Sequence, residues 1–379
     1  MAKPPEKVDV LVLGNHPSAY LATAILRLNK SLSVIHSKIP GEKLVDRLVI
    51  VNPALFELSP ILKPLKRKLD LVSIYGLRFL ADDAAVHSVH VGKSIGAYVG
   101  GFKQIHTEMA RLTKSGPKVI SPSEIQIQRL NESGLEVGLD KLTVHAKLLL
   151  LAGELPATQR RMLGLPENWE PSLLHRYSFL RLRGSEWHTL AHRPVIPMSL
   201  NLQNTHYWGW LLPGLGSVQV AVEQPSRSVV EHPPQTLLQH WIKVLQQHGD
   251  LSGSGGAKID LRDMVQMDIP LAGALSNENV ANRTLCVGPA GGFYSTCAED
   301  IYPNCWSAVC AAETAVNSVR EKHLQDALHL YRPKWGATLG DYLRGPQQNL
   351  RFLLPLVYRN PTMAARLTEA ILSGKSVVR

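Results

Sequence analysis

Residues able to hold a phosphate stand near the start of this 379-residue chain. Apart from Asp9, residues Val8 to Leu13 form an apolar run that is typical of a strand buried on both faces, and Gly14 breaks it. Helical spacing of apolar residues begins after Pro17, and a second apolar run occupies residues 32–35. Because a strand, a tight turn and a helix can place backbone N–H groups against phosphates, the sequence predicts the opening βαβ unit of a dinucleotide-binding fold.

Two histidines stand where such a unit normally has other residues. The fingerprint has three glycines, and this chain has Gly14, His16 and Ala19 at those positions. His36 and Ser37 end the second apolar run, where an acidic residue would hold a ribose hydroxyl. Each imidazole could bond a phosphate or a ribose, although a solvated loop histidine is the commoner interpretation. The turn therefore predicts the fold, and the histidines leave its ligand open.

A glycine-rich loop and all four cysteines lie near the other end of the chain. A strand predicted at residues 284–287 leads through glycines to a long helix at residues 304–323. The cysteines are Cys286, Cys297, Cys305 and Cys310. Their spacings match no zinc or thioredoxin pattern, so we expect reduced, mostly buried thiols and no metal site. Cys297 lies in the loop before the helix, where an inert thiol is preferred to a redox role.

The charge of the chain favours an anionic partner. A formal net charge of +10 suits a phospholipid surface, a diphosphate or nucleic acid. The densest basic run, residues 63–68, is either a solvated loop or a phosphate or membrane contact. No apolar stretch approaches the roughly 20 residues that span a bilayer, and residues 1–7 lack the apolar region of a secretory signal. We expect a cytoplasmic protein, at most peripheral to a membrane, with no nucleic acid partner.

Strands and helices alternate in a way that brings these residues together. Aromatic and β-branched runs between residues 187 and 222 indicate an antiparallel sheet, and a flexible Gly-Ser loop follows at residues 251–257. Strands are further predicted at 71–80, at 85–91 and in a meander from 118 to 152, and helices at 102–112, at 234–249 and through most of the last part. The strand ends at Leu13, Ala152 and Val287 are predicted to converge.

Four segments, in order, carry the pattern of a known family. They are Gly14-Asn-His-Pro-Ser-Ala19, then residues 152–165 with Arg160, Arg161, Leu163 and Gly164, then Trp208-Gly-Trp-Leu-Leu-Pro213, and last residues 287–313, which begin Val287-Gly-Pro-Ala-Gly-Gly-Phe293. Together they resemble the flavoprotein monooxygenase superfamily, and within it the geranylgeranyl reductase family. The fourth segment is the most specific because its matches persist over almost thirty residues.

The resemblance implies an α/β fold with a Rossmann-like FAD/NAD(P)-binding domain, an antiparallel-sheet substrate lobe and a helical C-terminal tail. The corresponding ranges are 1–165 with 275–320, then 166–274, then 321–379. It implies FAD contacts at Gly14, His16, Ala19, His36, Gly288, Pro289, Gly291, Gly292 and Asp300. It also implies a substrate wall at Trp208, Trp210 and Pro213, although two tryptophans on alternate residues of a strand suit a protein core equally well.

The sequence departs from the family where the cofactor would lie. Pro289 replaces an aspartate and so removes both a carboxylate and a backbone donor. Asp300 replaces a glycine at the helix start, where its carboxylate would either cap the helix dipole or occupy space meant for the flavin. With His16 and His36, these changes predict FAD bound more weakly than is usual and readily lost on purification.

Two functions from different classes follow. The first is an FAD-dependent oxidoreductase that reduces or oxidises an apolar, prenyl-like or aromatic substrate, with NAD(P)H as a candidate electron donor. The second is a protein of the flavin fold that has lost FAD and binds a lipid or a partner protein. Fold-level analogy favours the first because a fold usually brings its ligand. The sequence names no catalytic acid or base.

Overall fold

Three β-sheets and eight α-helices make up the part of the chain that the structure describes. The structure is a computed structural model and describes residues 4–83, 85–114, 116, 119–184, 193–251, 259–270, 279–344, 354 and 356–374. The Gly-Ser loop predicted at residues 251–257 lies, apart from Leu251, outside these residues.

The first sheet contains the predicted βαβ unit. Its main path, in spatial order, is β16 (Val280–Ala281), β17 (Thr284–Cys286), β10 (Leu142–Leu151), β1 (Glu6–Leu13) and β2 (Val34–Ser37), and the hairpin of β8 (Ile125–Asn131) and β9 (Gly134–Leu139) joins it at β10. The four strands from β17 to β2 are parallel. Their carboxyl ends therefore meet at one edge of the sheet, where α/β folds bind ligands.

The sheet is buried on both faces, as its continuous apolar runs require. Val10 and Val12 face a core shared with α1 (Pro17–Leu28) and α5 (Ile301–Ser318), whereas Leu11 and Leu13 face a second core under the β8–β9 hairpin. Both helices cover the first face of the sheet. This packing fixes the amino terminus of each helix at the ligand-binding edge.

A second sheet has seven strands and is mostly antiparallel, as the sequence predicts for this part of the chain. In spatial order it contains β15 (Val265–Pro270), β11 (Leu174–Arg183), β14 (Ser217–Pro225), β13 (Tyr207–Gly214), β12 (Val195–Leu202), β5 (Gly76–Leu80) and β6 (His87–Val91). All pairs are antiparallel except β12 with β5. Strands β5 and β6 thus join this sheet although they precede residue 165, and the division at residues 165, 274 and 320 stays a prediction.

A small third sheet connects the other two. It contains β3 (Leu48–Val51), β7 (Ala97–Gly101) and β4 (Val72–Ile74), in that order. One face of it shares a core with the second sheet and with the last described helix, α8 (Pro361–Ser373), whereas Val49, Val51 and Tyr98 on the other face belong to the core of α1 and α5. The strand predicted at 71–80 is split into β4 and β5 because β4 pairs with β7 in the third sheet, whereas β5 pairs with β12 and β6 in the second.

The remaining helices are α2 (Phe102–Arg111), α3 (Ala157–Met162), α4 (Pro234–Gln247), α6 (Leu324–Leu328) and α7 (Tyr331–Arg344). The helices predicted at residues 102–112 and 234–249 are confirmed to within two residues. The long helix predicted at 304–323 begins and ends earlier, at Ile301 and Ser318. No described helix is both long and apolar enough to cross a membrane.

Candidate functional site

The predicted convergence of three strand ends is confirmed. Leu13 of β1 lies beside Leu151 of β10, and Leu151 lies beside Cys286 of β17. The Ala152 N–H donates to the Leu13 carbonyl over 2.7 Å, and the Val287 N–H donates to the Leu151 carbonyl over 2.7 Å. The three loops that follow these strands therefore lie side by side and can contribute to one site.

The turn after β1 is tight and backbone-lined. Gly14 has φ +147°, and a Cβ there would lie 2.7 Å from the Ala152 carbonyl carbon, so only glycine fits. His16 caps α1, because its Nδ1 accepts the Ser18 N–H at 3.2 Å and lies 2.9 Å from the Ser18 hydroxyl. Its carbonyl accepts the N–H of the buried Ala19. The first helical turn thus finds its hydrogen-bond partners within the chain.

His16 also reaches across to α5. Because its Nδ1 accepts from Ser18, the proton of the neutral ring lies on Nε2, which donates to Asp300 Oδ2 at 3.4 Å. Burial lowers the pKa of His16, although the Asp300 carboxylate opposes that shift. Sequence reasoning favours a solvated loop histidine at this position, and the structure corrects it, since the ring is only 7% exposed.

Asp300 forms a buried ion pair with Arg47. The Arg47 guanidinium lies 2.5 Å from Asp300 Oδ2 and 4.3 Å from the ring centre of Phe102. Burial would raise the pKa of Asp300, but the Arg47 charge and the His16 hydrogen bond outweigh it and hold that pKa below its usual range. Asp300 precedes α5, and its carboxylate makes no capping hydrogen bond to the first turn, whereas its carbonyl accepts the Asn304 N–H. The carboxylate thus stands at the positive end of the helix dipole.

His36 is buried at the end of β2 with one unsatisfied ring nitrogen. Its Nε2 lies 2.9 Å from the Gly14 carbonyl, which can only accept, so Nε2 carries the proton. Nδ1 is then a bare acceptor, and it has no partner among the described residues. Burial lowers the pKa of His36 to about 4, so the ring is neutral. The solvated loop histidine favoured by the sequence is wrong here too, since His36 is fully buried.

Glu42 was missed by sequence reasoning. Its Oε2 accepts the Asn15 N–H at 2.7 Å, which places a carboxylate on the turn after β1. Burial, and next the charge of Glu154, raise the pKa of Glu42 to about 7, although the Asn15 bond opposes the shift. Glu42 and Arg47 lie in an irregular segment outside every recognisable motif, so no sequence signal could have identified them.

The glycine-rich loop after β17 packs directly on α1. Gly288 has φ +57°, and a Cβ there would lie 2.3 Å from the Ser18 hydroxyl. Its N–H donates to Ser307 of α5 over 2.9 Å. A Cβ on Gly291 would lie 2.3 Å from the Phe293 ring, and one on Gly292 would lie 2.9 Å from Trp169. The three glycines therefore permit close packing, while Pro289 faces the cavity described next.

A cavity of about 470 Å³ opens among these groups. Its polar lining includes Asn15, His16, Glu42, Arg47, Glu154 and Asp300. Its apolar lining includes Ile39, Pro40, Leu44, Val45, Phe102 and Met267. A cavity of this size and mixed lining can hold a small molecule.

The predicted substrate wall lies elsewhere. Trp210 is fully buried and stacks on Tyr177, with ring centres 5.5 Å apart and planes at 4°. Trp208 belongs to the same core, and the buried Pro213 pairs with Val218 of β14. Among the described residues, none of these three lines the cavity. The structure thus places the two tryptophans in a core, the alternative that the sequence left open.

Cys297 lies in the loop before α5, at φ +60°. Burial raises its pKa well above the usual value, which keeps the sulfur as a thiol. The other three cysteines are buried as well. A group of three His, Cys, Asp or Glu side chains that could hold a metal ion is absent from the described residues.

Solved structures with the same fold include flavin-dependent proteins. A geranylgeranyl bacteriochlorophyll reductase-like protein from Thermoplasma acidophilum has a TM-score of 0.69 at 13% identity, over 94% of this chain and 93% of that one. PqsL, a probable FAD-dependent monooxygenase from Pseudomonas aeruginosa, has a TM-score of 0.66 at 14% identity, over 96% and 99%. This chain has the fold of the FAD-dependent flavoproteins.

The flavin-dependent brominase Bmp2 extends this similarity to halogenases, with a TM-score of 0.66 at 14% identity over 97% of this chain and 94% of that one. The α/β fold expected from the four sequence segments is therefore confirmed. No protein-family model matches the sequence, and no curated protein matches it either. At these identities the similarity establishes the fold alone.

Proposed function

We propose that this protein is an FAD-dependent oxidoreductase acting on a small apolar substrate of prenyl-like or aromatic character. The observation that carries the proposal is the similarity of almost the whole chain to FAD-dependent flavoproteins. The apolar part of the cavity lining supports an apolar substrate, and it includes Ile39, Pro40, Leu44, Val45, Phe102 and Met267. NAD(P)H is the electron donor that we propose for this reaction.

Several residues fit the adenosine and phosphate parts of FAD. The orphaned Nδ1 of His36 is a buried acceptor at the end of β2, where dinucleotide-binding folds supply an acceptor for a ribose hydroxyl. The Asn15 N–H already donates to an anionic group, the Glu42 carboxylate. It is therefore oriented as a donor to a phosphate oxygen would be. Gly14 and Gly288 keep the backbone free of Cβ atoms on both sides of His16.

Other residues weaken the site for an anionic dinucleotide. Pro289 offers no N–H, the His16 ring spans the gap between α1 and α5, and Asp300 places a negative charge at the start of α5. A charge-assisted hydrogen bond contributes roughly 1.5 to 3 kcal/mol, so three missing contacts could lower the affinity by orders of magnitude. We therefore propose that FAD binds more weakly here than is usual in this superfamily.

When bound, FAD supplies hydride transfer to or from the substrate. The chain itself would orient and shield the reactants. Arg47 neutralises the Asp300 carboxylate, and the neutral His16 donates to the same carboxylate, so a buried charge is kept paired. The apolar residues of the cavity lining would shield the part of a bound substrate that they contact from water.

Titration of apo protein with FAD, followed by flavin fluorescence, tests the proposal. We expect saturable but weak binding, and binding at least about tenfold tighter when His16→Gly is combined with Pro289→Asp, because both changes restore groups that hold the dinucleotide. The exposed His206→Gly is a matched control, since its φ of +61° tolerates glycine.

Three outcomes decide between the alternatives. Tight, stoichiometric binding by the unaltered protein would refute the weakened site. Unchanged affinity in the double variant would show that the cofactor is misplaced. Absence of binding at high FAD concentration in every variant would favour the alternative function, a protein of this fold that binds a lipid or a partner without FAD.

A further inference from the structure

The segment of residues 39–46, here called the strap, forms one wall of the cavity. It connects β2 to β3 without regular structure, and Gly41 turns it at φ +76° with open space around its Cα. Its polar attachments include Glu42 with the Asn15 N–H at one end and Asp46 with Arg181 and Arg183 at the other. A segment held mainly by side chains can move without unfolding a sheet.

The attachment at Glu42 is made where a phosphate would bind. A backbone N–H in the turn between the first strand and helix is the donor that dinucleotide-binding folds turn toward phosphate oxygens. Glu42 Oε2 uses that donor at 2.7 Å. The same turn also carries Gly14, whose carbonyl holds the buried His36 with its orphaned acceptor. The Asn15 N–H thus suits a phosphate oxygen, and the Nδ1 of His36, unpartnered in the described part of the chain, suits a hydrogen-bond donor on the same ligand.

The Glu42 carboxylate is poorly compensated in this position. Within the described residues it forms no ion pair with a lysine or arginine, and the charge of Glu154 faces it. Tyr20 of α1 and Tyr294 of the loop before α5 feel its charge, and Lys43, Arg47, His16 and Asp300 line the same cavity. A half-buried carboxylate next to a second carboxylate is costly to keep charged. Displacing it therefore costs less than displacing a well-paired group.

We propose that Glu42 is a displaceable plug: its carboxylate occupies the phosphate position at Asn15, and a ligand bearing a diphosphate enters only when the strap carries Glu42 away. The proposal rests on the proposed function for the identity of the natural ligand, FAD. The binding of a phosphate by the Asn15 N–H does not depend on that function. The strap then acts as an autoinhibitory contact, because ligand binding must compete with an intramolecular anion. Protonation of Glu42 weakens the plug.

The test compares Glu42→Ala and Glu42→Gln with the unaltered protein in FAD titrations at pH 6 and pH 8. Both variants should bind FAD about tenfold more tightly at pH 8, and the difference should shrink at pH 6, where the native Glu42 is largely protonated. Glu57→Gln, an exposed glutamate near Lys63, is the matched control and should leave the affinity unchanged. Equal affinities in the native protein and both Glu42 variants would overturn the plug.

A second measurement separates failure of the plug from failure of the proposed function. Amide hydrogen exchange at Asn15 should be slow in the native protein, faster in Glu42→Ala, and slow again when inorganic pyrophosphate is added to that variant. If no variant binds FAD but pyrophosphate restores protection, the plug stands and the cofactor assignment falls. If pyrophosphate leaves the exchange of Asn15 in Glu42→Ala unchanged, the plug is wrong whatever the protein does with FAD.

Discussion

At the scale of single residues, the site contains two neutral, buried histidines. Each has its tautomer fixed by a single partner, Ser18 for His16 and the Gly14 carbonyl for His36. Both rings are buried. Burial is tolerated because each ring is uncharged and one of its nitrogens donates a hydrogen bond. A histidine in a dinucleotide-binding turn can therefore replace a glycine or an acid as a buried hydrogen-bonding group, rather than as a charged one.

Burial of His36 makes the stability of the protein depend on pH. The folded state keeps His36 neutral down to a pKa of about 4, whereas the unfolded chain takes up a proton near 6.5. Between these values the unfolded state binds more protons, so stability is full above pH 6.5 and falls as the pH drops toward 4. His36→Gln, whose amide nitrogen takes the place of Nε2 and can still donate to the Gly14 carbonyl, should remove about 2 kcal/mol of the loss in unfolding free energy between pH 7.5 and pH 5.

Urea unfolding at both pH values measures this difference. Burial also lowers the pKa of His106 to about 4, but His106 is present in both proteins, so its contribution to the pH dependence cancels in the comparison. The exposed His206→Gln serves as the control and should follow the native protein. Parallel pH dependence of His36→Gln and the native protein would mean that His36 titrates in the folded state as it does in the unfolded chain.

At the scale of elements, one buried glutamine joins two sheets. Gln219 of β14 accepts the Leu48 N–H at 2.7 Å and donates to the Leu48 carbonyl at 3.0 Å, so its amide completes the edge of β3 as another strand would. The same side chain lies 2.8 Å from the Tyr177 hydroxyl, beneath Trp210. The ring stack and the third sheet are thus held by one side chain.

Gln219→Ala should lower the unfolding free energy by about 2 to 4 kcal/mol, because it leaves both Leu48 backbone groups unpaired in a buried place. Gln126→Ala, on the exposed side of β8, should change it by less than about 0.5 kcal/mol. Denaturant unfolding followed by tryptophan fluorescence compares the two. A loss under about 1 kcal/mol for Gln219→Ala would show that water or a shifted strand replaces the amide.

At the scale of the whole molecule, the chain has an excess of positive charge, whereas the cavity lining contains both acidic and basic side chains. The chain carries 41 Lys and Arg against 31 Asp and Glu, yet carboxylates of Glu42, Glu154 and Asp300 line the cavity. The excess charge therefore lies outside the cavity. The basic run occupies the 3₁₀ helix Pro60–Arg67, whose lysines and arginine are exposed. We propose this run as the contact for a peripheral membrane association.

Such an association should be electrostatic and sensitive to salt. We expect the protein to sediment with phosphatidylserine vesicles at about 0.05 M salt and to be released at about 0.5 M, because screening shortens the reach of surface charges. Lys63→Ser with Lys68→Ser should reduce binding more than the control Lys30→Ser with Lys93→Ser, which removes the same charge elsewhere. Equal binding of the two double variants, or binding to phosphatidylcholine alone, would contradict this role for the run.

The sequence by itself determined the local units whose signals lie within one element. Unbroken apolar runs at β1, β10 and β17 predict buried parallel strands, and the glycine that follows each run predicts a turn at the same edge, because parallel strands end together. Spacing likewise predicts α2 and α4. These features need no knowledge of distant residues, since periodicity records which face is buried.

Only the tertiary structure decided which side chains meet. Arg47 and Asp300 are far apart in sequence and lie in unrelated contexts, yet they form the buried ion pair at the start of α5. Glu42 reaches Asn15 from an irregular segment that has no periodicity to interpret. Histidine exposure, too, depends on neighbours brought in by packing. Charge pairing and burial are properties of three-dimensional contacts, and a single sequence records the residues but not the contacts.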